Sequence, residues 1–294
     1  MNRRLLAVIT VAALAAAAPA FAQSLTFSPK ESEAPVEITS ENGMELNQDT
    51  KRVIFRGKAK AVQGAVSVTA DELIADYRAR PGGGGNEVYR VFATGNVVMK
   101  SENETATGQA AVYDMDKAVL VLEGDTVTLT SPDGQVQAHK VLQYWANEGV
   151  AVAEGNAFAE DKTKHRLFAD RLVAFFREST PAAPAKKDRS QILGRSRGDI
   201  NYVQGFGNVR METAKEIVRG DRGAYNIDSG LATIDGGIKV TQGTNQLSGG
   251  FATINVKGGI TKVFGSAAQA GQPGVKDAPR VRALIAPKAD PAAR

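Results

Sequence analysis

The chain has 294 residues, of which 43% are hydrophobic and 23% charged, an ordinary composition for one or two globular domains. It contains no cysteine, which excludes disulfides and a cysteine-linked lipid anchor. The formal net charge is +4 and the charged residues are interspersed, without the long basic run that favours nucleic-acid binding.

The first 22 residues have the organisation of a secretory signal peptide. Arg3 and Arg4 precede an uncharged apolar run over residues 5–18, and Ala20-Phe21-Ala22 supplies a small-x-small cleavage motif. An uncleaved anchor is the alternative, but this run is shorter than the roughly 20 residues of a membrane-spanning helix. We therefore expect export and cleavage before Gln23. Loss of the two arginines would reduce the net charge from +4 to +2.

A motif recurs six times along the rest of the chain. A central glycine lies between two β-favouring runs, and an Ala or Gly follows 13 or 14 residues later. The central glycines are Gly57, Gly95, Gly124, Gly155, Gly207 and Gly236, and the small residues are Ala70, Gly108, Ala138, Ala169, Gly220 and Gly249. The runs are short and β-branched, which predicts strands, with a turn expected at each central glycine. Two or more strands per unit give about 12 to 16 antiparallel strands in an all-β fold.

The repeat defines the predicted domain, which covers residues 36–264. A 23–35 segment forms an N-terminal extension. Two insertions interrupt the repeat, a glycine-rich one at 80–86 and one rich in Pro, Ala and charge at 178–190. The composition of residues 265–294 predicts a disordered tail.

Apolar residues alternate with polar or charged ones around the central glycines. This period of two is typical of a strand with one dry and one wet face, so the apolar positions should face the interior. The clearest inward-facing candidates are Val53, Phe55, Val97, Met99, Val209, Met211, Ile238 and Val240. The same residues would equally form the core of an ordinary β-sandwich.

Repeated Gly-Asn-Val and Ala-Asp-x-Leu units follow the signal peptide, including Gly95-Asn96-Val97, Gly207-Asn208-Val209, Ala70-Asp71-Glu72-Leu73 and Ala169-Asp170-Arg171-Leu172. In these units the chain resembles the OstA-like family. The resemblance implies a twisted, slightly open antiparallel β-jellyroll that acts in periplasmic lipopolysaccharide transport. It further implies lipid A acyl chains in an apolar groove lined by the eight candidates, and end-to-end assembly with further copies and with inner- and outer-membrane transport proteins.

The sequence has few features that would indicate an enzyme. It has no Gly-x-Ser-x-Gly, P-loop or dinucleotide motif, and we expect no catalytic residue, metal or cofactor. His139 and His165 are expected on the solvated surface, and Asp114 and Asp116 in a turn. Trp145 is expected in core or rim packing rather than in sugar stacking. The alternative function is that of a secreted β-solenoid with a structural or polysaccharide-binding role.

Overall fold

The computed structural model describes residues 36–80, 85–177, 200–273 and 280–285. The predicted signal peptide, the N-terminal extension and the insertion at 178–190 lie outside the described residues. The strands are β1 Glu37–Thr39, β2 Met44–Asn47, β3 Arg52–Gln63, β4 Val66–Ala79, β5 Asn86–Lys100, β6 Thr105–Asp114, β7 Val119–Glu123, β8 Val127–Ser131, β9 Gly134–Ala138, β10 Val141–Trp145, β11 Val150–Asp161, β12 Arg166–Phe176, β13 Ile200–Glu212, β14 Ile217–Asn226, β15 Leu231–Gln242, β16 Asn245–Asn255, β17 Ile260–Phe264 and β18 Arg282–Leu284. A short 3₁₀ helix, η1, covers Ala268–Ala270.

The predicted all-β fold is confirmed, because all the strand pairings are antiparallel. The 18 strands form a stack of 14 successive rungs. Ten rungs are unbroken strands, and four consist of two half-strands each: β1 with β2, β7 with β8, β9 with β10, and β17 with β18.

Each rung bends in its middle, so the stack has two sheets joined along one corner. The first sheet contains β2, β7, β10, β17 and the halves of the long strands that pair with them. The second sheet contains β1, β8, β9, β18 and the other halves. The turns between rungs lie at the far edges of the two sheets, opposite the corner, and we call this side of the stack the seam.

The prediction that the central glycines are turns between strands is wrong for five of the six. They lie inside β3, β5, β11, β13 and β15, where the pairing register shifts, and only Gly124 separates two strands. At each of these bulges two consecutive residues have positive φ, as at Gly95 (77°) and Asn96 (48°). Such a pair bends the strand and increases its local twist, but strand pairing continues on both sides.

The small residue of each repeat lies opposite a bulge rather than at the start of a new strand. Gly108 is inside β6 and pairs with Val97, and Gly220 pairs in the same way with Val209. A Cβ atom on Gly108 would come within 2.8 Å of Leu122 Cδ1. The small side chain therefore leaves room for the neighbouring rung where the stack bends most tightly.

The Gly-Asn and Ala-Asp motifs form one interlocking device along the corner. Asn96 Nδ2 donates to Asp71 Oδ2 at 2.9 Å, and Asn208 Nδ2 donates to both carboxylate oxygens of Asp170, at 3.1 and 2.9 Å. The carboxylate of Asp71 also lies against the α-carbon of Gly95, where a Cβ atom would be 2.2 Å from Oδ2. Each aspartate thus fixes the bulge of the next rung.

The predicted disordered tail is wrong for at least three residues. Arg282, Ala283 and Leu284 form β18, which pairs with β16 and completes the last rung. The C-terminal segment therefore contributes to the sheet at one end of the stack.

Candidate functional site

An apolar interior runs the length of the stack between the two sheets. In the second sheet, one inward-facing residue from every rung joins a continuous cross-strand row. All 14 are apolar: Ile38, Ala61, Val68, Met99, Ala106, Leu129, Val136, Ala159, Leu167, Met211, Val218, Val240, Leu247 and Ala283. We call this set the second-sheet row.

The first sheet faces it with a row of the same length. This first-sheet row holds only apolar residues and glycine: Met44, Phe55, Leu73, Ala93, Ala111, Leu122, Leu142, Ala153, Leu172, Gly205, Gly223, Ile234, Ala252 and Val263. A parallel row nearer the seam runs from Leu46 to Thr261 and includes Val53, Tyr144 and Tyr225. No charged side chain interrupts these rows.

The interior is packed solid at the corner and hollow nearer the seam. A cavity of about 520 Å³ lies between the first rungs, and a second of about 230 Å³ lies in the middle of the stack. Leu120 lines both cavities, so they adjoin. The larger volume falls within the roughly 300–1,000 Å³ of typical ligand pockets.

The structure distributes the eight predicted residues over three environments. Phe55 and Met99 line the larger cavity, and Met211 lines the smaller one. Val97, Val209 and Ile238 lie at the corner, where each is 1% exposed. Val240 lies in the second-sheet row and is 2% exposed. Val53 lies in the row nearer the seam that runs from Leu46 to Thr261. All eight face the interior, whereas lipid contact at any of them stays a prediction.

Polar residues replace apolar ones at the edge of the second sheet, one inward-facing position beyond its apolar row. These seam residues include Gln63, Glu104, Asp161, His165 and Glu216. At the C-terminal end the hydroxyl of Thr261 in the first sheet donates to Glu216 Oε1, so this contact bridges the seam. Burial raises the pKa of Tyr225, and the charge of Asp161, facing it from the other sheet, raises it further.

The expected surface position agrees with the exposure of His139, and it agrees in part for His165, whose side chain is 34% exposed. His165 is half-buried in the wall of the smaller cavity, and its Nδ1 lies 3.1 Å from Asp161 Oδ2. Trp145 is 38% exposed at the end of β10, where Nε1 donates to Gln143 at 3.3 Å. Asp114 accepts from the backbone N–H of Lys117 at 3.0 Å, which fits the predicted turn.

Neither a metal centre nor a membrane-spanning helix is found within the described ranges. The His, Asp and Glu side chains there form no group of three or more that could hold a metal ion. No helix in the same residues has the length and hydropathy needed to cross a bilayer.

Among the described residues, both end rungs pair on one side only and expose apolar side chains. At the first rung, Met44 is 61% and Leu46 is 50% exposed, and both continue inner rows. At the last rung, Ile260 is 55% and Leu284 is 57% exposed. The inner rows reach the first rung at Met44 and Leu46 and the last rung at Val263 and Ala283.

Comparison with known proteins found a family model that matches the N-terminal half of the stack. Residues 37–149 match the family described as LptA/(LptD N-terminal domain) LPS transport protein. The predicted OstA-like resemblance is confirmed by this match. The bulged rungs continue beyond residue 149 with the same geometry, through β11, β13 and β15.

Two individual proteins are also similar. An uncharacterized protein of Rhizobium meliloti (strain 1021) is 29% identical over 125 residues, which cover 42% of this chain and 65% of that protein. The crystal structure of LptH from Pseudomonas aeruginosa, the LptA homologous periplasmic component of a lipopolysaccharide transport device, is 13% identical. The match covers 88% of this chain and 100% of that one, with a TM-score of 0.22, which is too low to support a conclusion.

Proposed function

We propose that this protein is an exported, periplasmic carrier of lipopolysaccharide, because residues 37–149 match the family described as LptA/(LptD N-terminal domain) LPS transport protein. The acyl chains of the lipopolysaccharide would lie between the two sheets, while its sugars would stay outside the seam. The observation that carries the proposal is the second-sheet row, which contains only apolar residues through all 14 rungs.

The physical argument rests on the cost of exposing acyl chains to water. Each methylene group left in water costs about 0.8 kcal/mol, so a long chain cannot cross an aqueous compartment unshielded. Rows of similar apolar residues would shield the chain equally at each rung, and the lipid would then move along them without a deep minimum. In this proposal the energy source lies outside the chain, and the direction of movement would come from the inner- and outer-membrane transport proteins at its two ends.

Phe55, Met99 and Met211 are the predicted residues best placed for lipid contact, since each lines a cavity. The flexible methionine side chains would adapt to acyl chains of different length and branching. The corner residues Val97, Val209 and Ile238 would instead support the groove wall from behind.

A photo-crosslinking side chain at Met99 or Met211 should capture lipopolysaccharide or lipid A. Lys100 and Arg210 are matched controls, because each lies one residue away and faces the opposite side of its strand. Adducts are counted by mass spectrometry after irradiation of the purified protein with lipid. Capture confined to Lys100 and Arg210 would contradict the groove and favour a protein that binds polysaccharide on its outer surface.

The exposed ends of the stack predict concentration-dependent, end-to-end assembly, because edge strands present unpaired backbone groups. Leu46→Lys or Ile260→Lys places a charge in that contact, and we expect association to require about tenfold more protein, equivalent to about 1.4 kcal/mol. Leu231→Lys is the control, since Leu231 is 51% exposed but lies in the interior rung β15. Light scattering measures the assembly, and a wild-type monomer at all concentrations would exclude it.

A further inference from the structure

Among the residues that the structure describes, Glu104 is the one buried acid of the groove whose side chain has an unpartnered oxygen. It is only 5% exposed, and its Oε1 has no hydrogen-bond partner within the described residues. The other seam acids differ in this respect. Asp161 bonds His165 and Thr163, and Glu216 accepts from Thr261.

The local chain fixes Glu104 in an inward-facing position. The backbone N–H of Ser101 donates to the carbonyl of Glu104 at 2.9 Å, and the N–H of Glu104 donates to Ser101 Oγ at 3.1 Å. Glu104 precedes Ala106 by two residues, so both side chains point to the same face of β6. Ala106 belongs to the apolar second-sheet row, and both residues line the cavity of about 230 Å³.

The surroundings of Glu104 favour its neutral acid form. Burial raises its pKa to about 8, so the side chain carries its proton at neutral pH. A protonated carboxyl has one O–H donor and retains acceptor capacity. Arg166, the cation in the same cavity wall, is held by Glu160, with Nε to Oε2 at 2.7 Å, so it does not compensate the charge of Glu104.

We infer that Glu104 is a polar anchor inside the apolar groove, whose carboxyl O–H donates a hydrogen bond to the ester or amide carbonyl that links an acyl chain to its headgroup. The position suits that chemistry, because Glu104 lies where the polar seam meets the apolar rows and an acylated headgroup changes from polar to apolar at that carbonyl. The inference rests on the proposed function and adds the group that sets the depth of the lipid.

The test compares methyl dodecanoate with dodecane as competitors of a fluorescent acyl probe. For each protein we take the ratio of its affinity for the ester to its affinity for the alkane. The value that is compared is this ratio in the wild type divided by the ratio in Glu104→Leu. The division cancels the different hydration of the two competitors. At about pH 6 we expect a three- to tenfold value, the contribution of one hydrogen bond. At about pH 9.5 the carboxylate has no proton to donate and the value should approach one.

Glu104→Gln keeps an N–H donor but loses the titrating proton, so it should retain the ester preference at both pH values. The other titratable or charged groups that face this cavity or flank Glu104 are Lys100, Glu102, Tyr144, Glu160, Asp161, His165, Arg166 and Tyr225. A pH step that persists in Glu104→Gln belongs to one of these and overturns the inference.

Equal ester-to-alkane ratios in the wild type and Glu104→Leu also overturn it, as expected if a water molecule satisfies Oε1. If neither competitor displaces the probe from any of the three proteins, the groove binds no acyl chain and the proposed function itself fails. Circular dichroism verifies that each variant is folded.

Discussion

Glu104→Gln should remove a fall in the free energy of unfolding that the wild type shows between about pH 4.5 and pH 8. The pKa of Glu104 is raised from its ordinary 4.5 to about 8 by burial. Between these values the folded state holds a proton that the unfolded state has released, so raising the pH favours unfolding. The loss is about 1.4 kcal/mol per pH unit and approaches about 5 kcal/mol by pH 8, above which it stops growing.

Urea unfolding of both proteins at about pH 5, 6, 7, 8 and 9 measures this difference. The two proteins should have similar stability at pH 5, and the glutamine variant should be more stable by several kcal/mol at pH 9. Glu160 provides a contrast within the same cavity wall, because hydrogen bonds from Lys164 and Arg166 lower its pKa. The stabilisation that ionised Glu160 contributes is lost as the pH falls below the ordinary pKa of a glutamate. Both proteins contain Glu160, so this loss is common to both.

The exposed neighbour Glu102 is the matched control for this titration. It lies in the same turn, and Glu102→Gln should leave the pH dependence of the wild type unchanged. Parallel stability curves for the wild type and Glu104→Gln would mean that the folded protein admits water or moves the carboxyl outward. Glu104 would then be ionised at neutral pH and could not donate the hydrogen bond proposed for it.

The β-stack and the inward-facing side of its strands could be predicted from the sequence, because both depend on local patterns. Alternation around Val97 and Met99, or around Val209 and Met211, requires only the two-residue period of a strand. The family resemblance depended on six repeats in register. These signals were enough to predict an all-β antiparallel fold with an apolar interior.

The role of the central glycines could not be predicted because it depends on pairing between distant strands. Two consecutive left-handed residues, such as Gly95 and Asn96, have the same local signature in a bulge and in a tight turn. The distinction is the partner strand, which pairs on both sides of the bulge, with Thr94 opposite Ala110 and Val97 opposite Gly108. The constant spacing of 13 to 14 residues contained this information, because it measures the distance from bulge to paired partner.

Glu104 was missed for a related reason. Its charge suggests a solvated turn, and its burial arises only when β6, β8 and β9 pair and place the first sheet above it. The available signal was its spacing of two residues from Ala106, which assigns it to the inward face. The cavities add a distinction among the eight apolar candidates that strand alternation does not contain, since hollow space lies near the seam and solid packing at the corner.

The corner itself determines how far apart the two sheets lie, and Gly95→Ala should therefore be among the most disruptive small substitutions. Gly95 has φ of 77°, a left-handed conformation that costs a non-glycine residue about 1–2 kcal/mol. The new Cβ atom would also lie 2.2 Å from Asp71 Oδ2, an overlap that adds roughly 1–3 kcal/mol. Gly64→Ala is the control for conformation alone, because Gly64 has φ of 59° and no neighbour within 4 Å of an added Cβ atom.

A double-mutant cycle with Asp71→Ala separates the contact from the backbone. Removing the carboxylate loses its hydrogen bond to Asn96, worth about 1 kcal/mol, but it also makes room for the Cβ atom at Gly95. In that background Gly95→Ala should cost only the 1–2 kcal/mol expected at Gly64, so the coupling free energy should be about 1–3 kcal/mol. Urea unfolding of the four proteins gives this value, and additive effects would show that Asp71 does not lock the bulge. The same cycle at Gly207 and Asp170 should repeat the result, because the device that bends each rung also sets the width of the groove.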